Sequence, residues 1–452
     1  MAGVLDLSFR SLRAGYATGR FRPSDIADEL KQRVAVHAEK NIWIHVSETL
    51  LADAEVLDAR DEGSLPLYGV PFALKDNIDI AGVPTTAGCP EFAYTPDASS
   101  PIVQKLLKAG ALFVGKANMD QFATGLNGTR TPYGVVHSAH NNELIAGGSS
   151  SGSAVSVALG LAAFALGTDT AGSGRVPAAL NGVVGLKPTV GMVSGRGVVP
   201  NCRTIDTSSI FTKNVSDAAL VHSIIAGFDA GDPWSARFPL PSASPDARDL
   251  VGLKLAVPTE VPHWGTRGER ETWDAVTAAL VKQGAVLEEH DFSRLYEAGR
   301  QMYLGPWVAE RVADLHGFLS ENRDIVHPSV RALYESSDKI TARDTYAALH
   351  RLYELRREAS EQFSGVDAVL SPTVPATFTI DEVMADPVRT NEALGTFTTF
   401  TNLIGLCSVS VPVGLTIGSA VPFSLQVQTF EASDDRAAGI ALAIEQMFAD
   451  EA

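Results

Sequence analysis

The chain is poor in the residues on which several protein classes depend. Its three cysteines, Cys89, Cys202 and Cys407, are odd in number, far apart and in no C-x-x-C pair. Neither a disulfide framework nor a zinc knuckle is signalled, and a reducing, cytoplasmic setting is expected. Long apolar runs are missing as well. The longest, residues 154–167, falls short of the roughly 20 residues that cross a bilayer and is rich in Ala and Gly, so it reads as a buried helix with no membrane partner. The N-terminal stretch carries charge throughout and has no apolar core followed by a small-residue cleavage site. Basic residues are outnumbered, 36 Lys and Arg against 53 Asp and Glu, for a net charge of −17. That balance argues against nucleic acid and anionic surfaces as partners. Neither G-x-x-x-x-G-K-[ST] nor G-x-G-x-x-G occurs, so no nucleotide cradle is indicated. Among 10 histidines the close pair is His137 and His140, in V-V-H-S-A-H, without H-E-x-x-H or a matching Cys or Asp cluster. No metal and no cofactor is expected. Small molecules remain the favoured ligands.

What is present supports a large folded core: 452 residues, 45% of them hydrophobic and 20% charged. Residues 5–60 alternate apolar and charged positions at helical period, with Ser24 as a candidate N-cap. From residue 67 short apolar runs bounded by Gly and Pro alternate with a helix pattern, P-I-V-Q-K-L-L-K-A-G, which predicts an α/β core. Gly and Ser become dense between 124 and 199. Residues 230–248 read as a Pro/Ser-rich surface connection before the strand V-G-L-K-L-A-V-P. Residues 269–365 read as mostly helical, with Gly284 ending one helix. D-A-V-L-S-P-T-V-P returns to strand, and an amphipathic helix capped by Ser433 closes the chain. No internal repeat is visible.

Three segments carry possible chemistry. G-V-P-F-A-L-K-D-N-I-D at 69–79 places Lys75 at the end of an apolar run, where desolvation lowers an amine's pKa and makes a neutral base available. A-G-G-S-S-S-G-S-A at 146–154 offers hydroxyls on a pliable loop. G-T-D-T-A-G-S-G-R-V-P-A-A at 167–179 sets Ser173 between two glycines, so that successive backbone N–H groups can converge on one oxyanion. Together they describe a Ser/Lys acyl-transfer centre. A competing reading takes G-S-S-S-G as a nucleophile elbow with Ser150, which needs a downstream Asp and His. Taken singly, a Lys after a strand is more often a solvated end, and Gly-Ser loops are more often turns.

Jointly the three segments resemble the amidase signature family, over nearly the whole chain. The resemblance implies one domain over 1–452, with a central mixed β-sheet covered on both faces by helices. Its expected parts are an N-terminal helical layer to about 60, a catalytic core at about 65–215, a helical substrate-pocket insertion at about 265–365, and closing strands with a C-terminal helix at about 366–452. It implies Ser173 as nucleophile, Ser149 as a bridging serine after a cis peptide from Gly148, and Lys75 as base. Thr170, Ala171, Gly172 and Ser173 then look like the oxyanion hole, with Asp169 and Arg175 bracing the loop.

Within the family, several stretches look like the allophanate hydrolase subgroup: L-P-L-Y-G-V-P-F-A-L-K-D-N-I-D-I-A-G-V-P-T-T-A-G-C-P, M-D-Q-F-A-T-G-L-N-G-T-R-T-P-Y-G, A-G-S-G-R-V-P, and T-I-D-T-S-S-I-F with Ser209. In M-Y-L-G-P-W-V-A-E-R, Tyr303 and Arg311 match residues that hold a substrate carboxylate in that subgroup, and Gly125 is a further candidate contact. A cation able to pair hydrogen bonds suits a small anion approaching an acidic protein. Pro306 is expected at N1 of a helix leading into Arg311. The plainer alternative pairs Arg311 with Glu310 or Asp314 on a helix surface. The activity implied is C–N hydrolysis of allophanate in urea breakdown, with carboxybiuret, malonamate or a glutaminase component of an amidotransferase as alternatives. The expected partners are a second copy in a homodimer and a separate counterpart of the C-terminal domain that subgroup members commonly carry, for decarboxylation.

Overall fold

The computed structural model describes residues 6–60 and 65–449; the ends of the expected N-terminal layer and of the closing segment lie outside them. Their centre is an 11-stranded sheet. In chain order its strands are β1 (Trp43–Val46), β2 (Pro71–Lys75), β3 (Leu112–Ala117), β4 (Phe164–Asp169), β5 (Val184–Lys187), β6 (Thr207–Thr212), β7 (Lys254–Pro258), β8 (Val286–His290), β9 (Ala368–Pro372), β10 (Leu406–Leu415) and β11 (Pro422–Phe430). They lie side by side as β1-β3-β2-β4-β6-β5-β10-β11-β9-β7-β8. β3, β2 and β4 run parallel, as do β9, β7 and β8, and the centre from β4 to β9 is antiparallel. A mixed sheet flanked by helices is the architecture expected.

The central strands are covered on both faces, which is why β2, β4 and β6 read as unbroken apolar or small runs. Size alternates along them. Phe72 and Leu74, Phe164 and Leu166, and Ile210 enter the principal core with Leu12, Ile102, Val215 and Ile440. Ala73, Ala165 and Phe211 enter a second cluster with Ala154, Val157 and Ala178. The small side chains let the helix Ser151–Ala158 approach β2, β3 and β4 closely. Lys75 shares the parity of Ala73 and therefore arrives on that side, where the loop before this helix runs.

Three local expectations are corrected. Residues 154–167 are not one helix: Ser151–Ala158 stops, a turn follows, and Phe164 starts β4. The residues from Phe164 onward are taken by sheet pairing with β2 and β6. Ser24 is not an N-cap, because Pro23 begins the helix Pro23–Val36 one residue earlier and leaves Arg22 at the cap. The Ser24 hydroxyl donates instead to Asp58 Oδ2 at 2.6 Å. Pro306 occupies the N-cap of Trp307–Ala313 and Arg311 its last turn, so the helix dipole does not add to that cation.

Phe72 is fully buried, stacked on Phe164 with ring centroids 5.4 Å apart and tilted against Phe113 at 5.9 Å. Phe72→Ala is expected to lower the unfolding free energy by about 3–5 kcal/mol, read from urea denaturation. A loss below about 1 kcal/mol contradicts this placement.

Candidate active site

β2 ends on Lys75, which is wholly buried. Its partners are hydroxyls: Nζ donates to Ser149 Oγ at 2.7 Å and to Thr168 Oγ1 at 2.8 Å, and no ion pair with a carboxylate forms among the described residues. Desolvation lowers its pKa to about 7, against the smaller raising pull of Asp120, Asp206 and Asp169. Near neutral pH about half of these side chains are therefore uncharged. Ser149 Oγ in turn donates to Ser173 Oγ at 3.0 Å. Lys75, Ser149 and Ser173 form one hydrogen-bonded line.

Ser149 follows a cis peptide from Gly148. A side chain on Gly148 would run into Asp120, whose carboxylate accepts the N–H groups of Gly128 at 3.1 Å and Arg130 at 2.8 Å. Asp120 also donates its own N–H to the Ser149 carbonyl at 3.1 Å, so the loop is held from the β3 side. Ser150, the alternative nucleophile, is buried and donates to the Thr168 carbonyl at 3.3 Å. His137 and His140 bond separately to the carbonyls of Asn142 and Asn181.

Ser173 sits on the turn after β4. Asp169, the last residue of that strand, accepts the N–H groups of Gly172 and Gly174, each at 3.0 Å. Arg175 closes on the same carboxylate with two bonds of 2.9 Å, both side chains fully buried. The guanidinium also reaches Thr401 Oγ1 and Gln426 Oε1 at 2.7 Å and the Thr398 carbonyl at 3.0 Å. Gly172 adopts φ +127°, and a side chain there would meet the Thr398 hydroxyl. One detail departs from the expected oxyanion hole: the Gly172 N–H is committed to Asp169. The amides of Thr170, Ala171 and Ser173 have no acceptor among the described residues.

Arg311 is 2% exposed, and its Nε and Nη1 have no hydrogen-bond partner among the described residues. Its guanidinium carbon lies 4.7 Å from the Tyr303 ring centroid, a cation–π contact. The surface ion pairs weighed as an alternative do not form. Glu310 accepts the Thr204 N–H and hydroxyl, both at 2.8 Å, and Asp314 pairs with Arg203 at 2.8 Å. Arg311 is left as a desolvated cation with no counter-charge among the described residues, which suits a bound anion. Gly125 has φ +145°, and a Cβ there would press on Asp120 Oδ2 at 2.9 Å and Arg130 Cδ at 3.0 Å. Its neighbour Thr124 bonds Tyr334 Oη at 3.1 Å. Tyr303 also borders an open cavity of about 810 Å³, with Arg130, Leu304, Leu333 and Val388 on its wall.

Sequence reasoning missed Thr168, the second acceptor for Lys75, and Asn201 and Asp206, which tie the loops together. Short polar residues in G-T-D and N-C-R-T-I-D carry no local signal of a role, because their partners come from distant segments.

The sheet, the Ser–Ser–Lys line and the braced turn define an α/β amide hydrolase. Residues 26–437 match the family model Amidase, and the chain belongs to the amidase signature family of C–N hydrolases. It is similar to urea amidolyase of Saccharomyces cerevisiae, 42% identical over 380 residues, covering 83% of this chain and 20% of that protein. The chain therefore spans about a fifth of the length of this relative. It superposes on Kluyveromyces lactis allophanate hydrolase with a TM-score of 0.89 at 35% identity, over 98% of this chain and 72% of the other. A glutamyl-tRNA(Gln) amidotransferase component from Maridesulfovibrio salexigens is 31% identical, over 94% of each chain.

Arg175→Met leaves Asp169 buried without its partner and is expected to cost about 3–5 kcal/mol of unfolding free energy. Arg203→Met, at the more exposed pair with Asp314, is expected to cost less than about 1 kcal/mol. Equal losses in denaturant melts would contradict the structural weight given to the Asp169–Arg175 fork.

Proposed function

We propose that the chain hydrolyses the first C–N bond of a small anionic amide, allophanate (urea-1-carboxylate) foremost, through an acyl-enzyme on Ser173. The observation that carries the chemistry is the unbroken line from Lys75 through Ser149 to Ser173. Neutral Lys75 takes the Ser149 proton as Ser149 takes that of Ser173. Ser173 Oγ attacks the amide carbonyl carbon, and the developing negative oxygen is met by the free amides of Thr170, Ala171 and Ser173. The proton returns through Ser149 to the leaving nitrogen, and ammonia departs. Water then attacks the ester by the same relay, freeing Ser173 and the N-carboxylated carbamate.

The anionic substrate is supported by Arg311, buried on Tyr303 with two unpartnered atoms. A carboxylate accepting from one of these unpartnered nitrogens offsets part of the desolvation that an unpaired guanidinium otherwise carries. The cavity beside Tyr303 would then be the entry route. The likeness to an amidotransferase component over almost its full length supports a second reading, a glutaminase that works with further polypeptides.

Ammonia release from allophanate, biuret, malonamate and glutamine separates the two. Allophanate is expected to be preferred, Ser173→Ala to abolish turnover, and Arg311→Ala to raise KM for allophanate by about tenfold or more with a smaller change in kcat. Preference for glutamine or an uncharged amide overturns the substrate assignment and leaves the Ser–Ser–Lys centre standing. Because Lys75 must be neutral to act, and its pKa is lowered to about 7, kcat/KM is expected to hold a plateau above that pH. Below it, kcat/KM falls about tenfold per unit at first. Activity that stays flat down to pH 5 would remove Lys75 as the base.

A further inference from the structure

One carboxylate joins the two halves of this site. Asp206 Oδ1 accepts the Thr170 hydroxyl at 2.5 Å, while Oδ2 accepts the N–H groups of Asn201 at 2.7 Å and Cys202 at 3.0 Å. Thr170 opens the turn that carries Ser173. The 201–206 segment is fastened at the same time to the helix bearing Arg311. Cys202 Sγ donates to the Trp307 carbonyl at 3.4 Å, Thr204 makes both bonds to Glu310, and Arg203 pairs with Asp314. Asn201 Nδ2 reaches the Phe122 carbonyl and Thr124 Oγ1, each at 3.0 Å, on the loop leading to Gly125.

We propose that Asp206 is a positioning residue for the hydrolysis, holding the oxyanion donors of the Thr170–Ser173 turn in register with the wall that carries Arg311. The proposal rests on the Ser173 reading above. A substrate anchored at Arg311 places its carbonyl by the distance between that wall and the turn. An error of even 1 Å there costs on the order of a hundredfold in rate. Asn402 also ties the two segments, through the Asp169 and Ile205 carbonyls, but among the described residues the Thr170 side chain makes no other hydrogen bond, so this carboxylate is what holds Thr170 itself.

The same geometry makes the link titratable. Burial raises the Asp206 pKa to about 6, opposed by the bonds from Thr170, Asn201 and Cys202, with Glu310 adding to the rise. Lys75 and the Cys202 thiol also face it, and Arg196, Arg203 and Asp232 line a small cavity that Asp206 borders. Arg196 and Arg203 are already paired with Asp229 and Asp314. A proton arriving as pH falls must occupy an oxygen that now accepts a donor. The two backbone N–H groups cannot turn away, whereas the Thr170 hydroxyl can, so the link to the turn is the one that loses its charged acceptor and weakens.

Asp206→Asn imitates the protonated form, and Thr170→Val removes the link while leaving the bonds to Asn201 and Cys202. Both are to be compared with the unaltered chain on allophanate from pH 5 to 9, with Ser173→Ala alongside. Asp206→Asn is expected to lower kcat about tenfold at pH 8 with KM within about threefold, and Thr170→Val to match it. The double variant is expected to be no worse than either single one. The acid limb of kcat/KM for the unaltered chain should steepen to two protons below the Asp206 pKa of about 6. In Asp206→Asn it should keep only the limb of Lys75. Thr170→Val with unchanged kcat and a two-proton limb overturns the proposal, even if Asp206→Asn fails to fold. Asp206→Asn within about twofold of the unaltered chain at pH 8, with its acid limb unchanged, overturns it equally. Turnover surviving in Ser173→Ala overturns instead the reading on which it rests.

Discussion

The structure around Ser173 hangs on the buried fork between Asp169 and Arg175. Two charges out of water are costly, and the attraction between them offsets that cost only when every remaining proton and lone pair is satisfied. Here they are: the carboxylate accepts Gly172, Gly174 and both sides of the guanidinium, and the guanidinium reaches Thr398, Thr401 and Gln426. These partners come from β4, from the segment 398–402 and from β11. The turn carrying Ser173 is therefore clamped to the far part of the chain without a strand or helix of its own.

Burial lowers the pKa of two neighbouring lysines of the sheet, and their partners decide how strongly it is opposed. Lys116 on β3 is as deeply buried as Lys75 and has Asp76 at 3.4 Å. Lys75, on the adjacent strand, bonds to hydroxyls, and its pKa drops to about 7. Asp76 opposes the lowering at Lys116, whereas no carboxylate pairs with Lys75 among the described residues. Arg311 is the third case. A guanidinium does not give up its proton, so burial without a counter-charge leaves an unmet demand for an anion rather than a neutral base. One physical effect thus leaves a lysine beside a carboxylate, a lysine beside hydroxyls and a guanidinium without a counter-charge, according to what stands within about 4 Å.

The labour is divided between the sheet and the helices beyond it. β2 and β4 hold Lys75 and the turn of Ser173 through strand ends whose register is set by pairing with β3 and β6. The helices Ser293–Leu304 and Trp307–Ala313 bring Tyr303 and Arg311. Their packing forms a core of its own with Trp307, Phe292, Phe397 and Phe400. The turn at 201–206 spans the two, its polar groups bonding to Asp206, Glu310 and Thr124.

A good part of this was legible in the chain itself. Period and turn residues separate the α/β core from the helical stretch, and the apolar run into Lys75 foretells its burial, because desolvation follows from neighbours adjacent in sequence. Gly-Ser-Gly around Ser173 announces a turn that no bulky residue could make. Residues 154–167 misled for the same local reason: Ala, Leu and Gly suit a buried helix and a buried strand alike, and pairing with β2 and β6 decided between them. What only the tertiary structure settled are relations between distant segments. The Thr168 hydroxyl beside Lys75, the commitment of the Gly172 amide to Asp169, the isolation of Arg311 from Glu310 and Asp314, and the reach of Asp206 depend on distances across the fold. Composition fixes which groups are available, but hydrogen bonds are short and directional, so their partners are chosen only when the chain has closed.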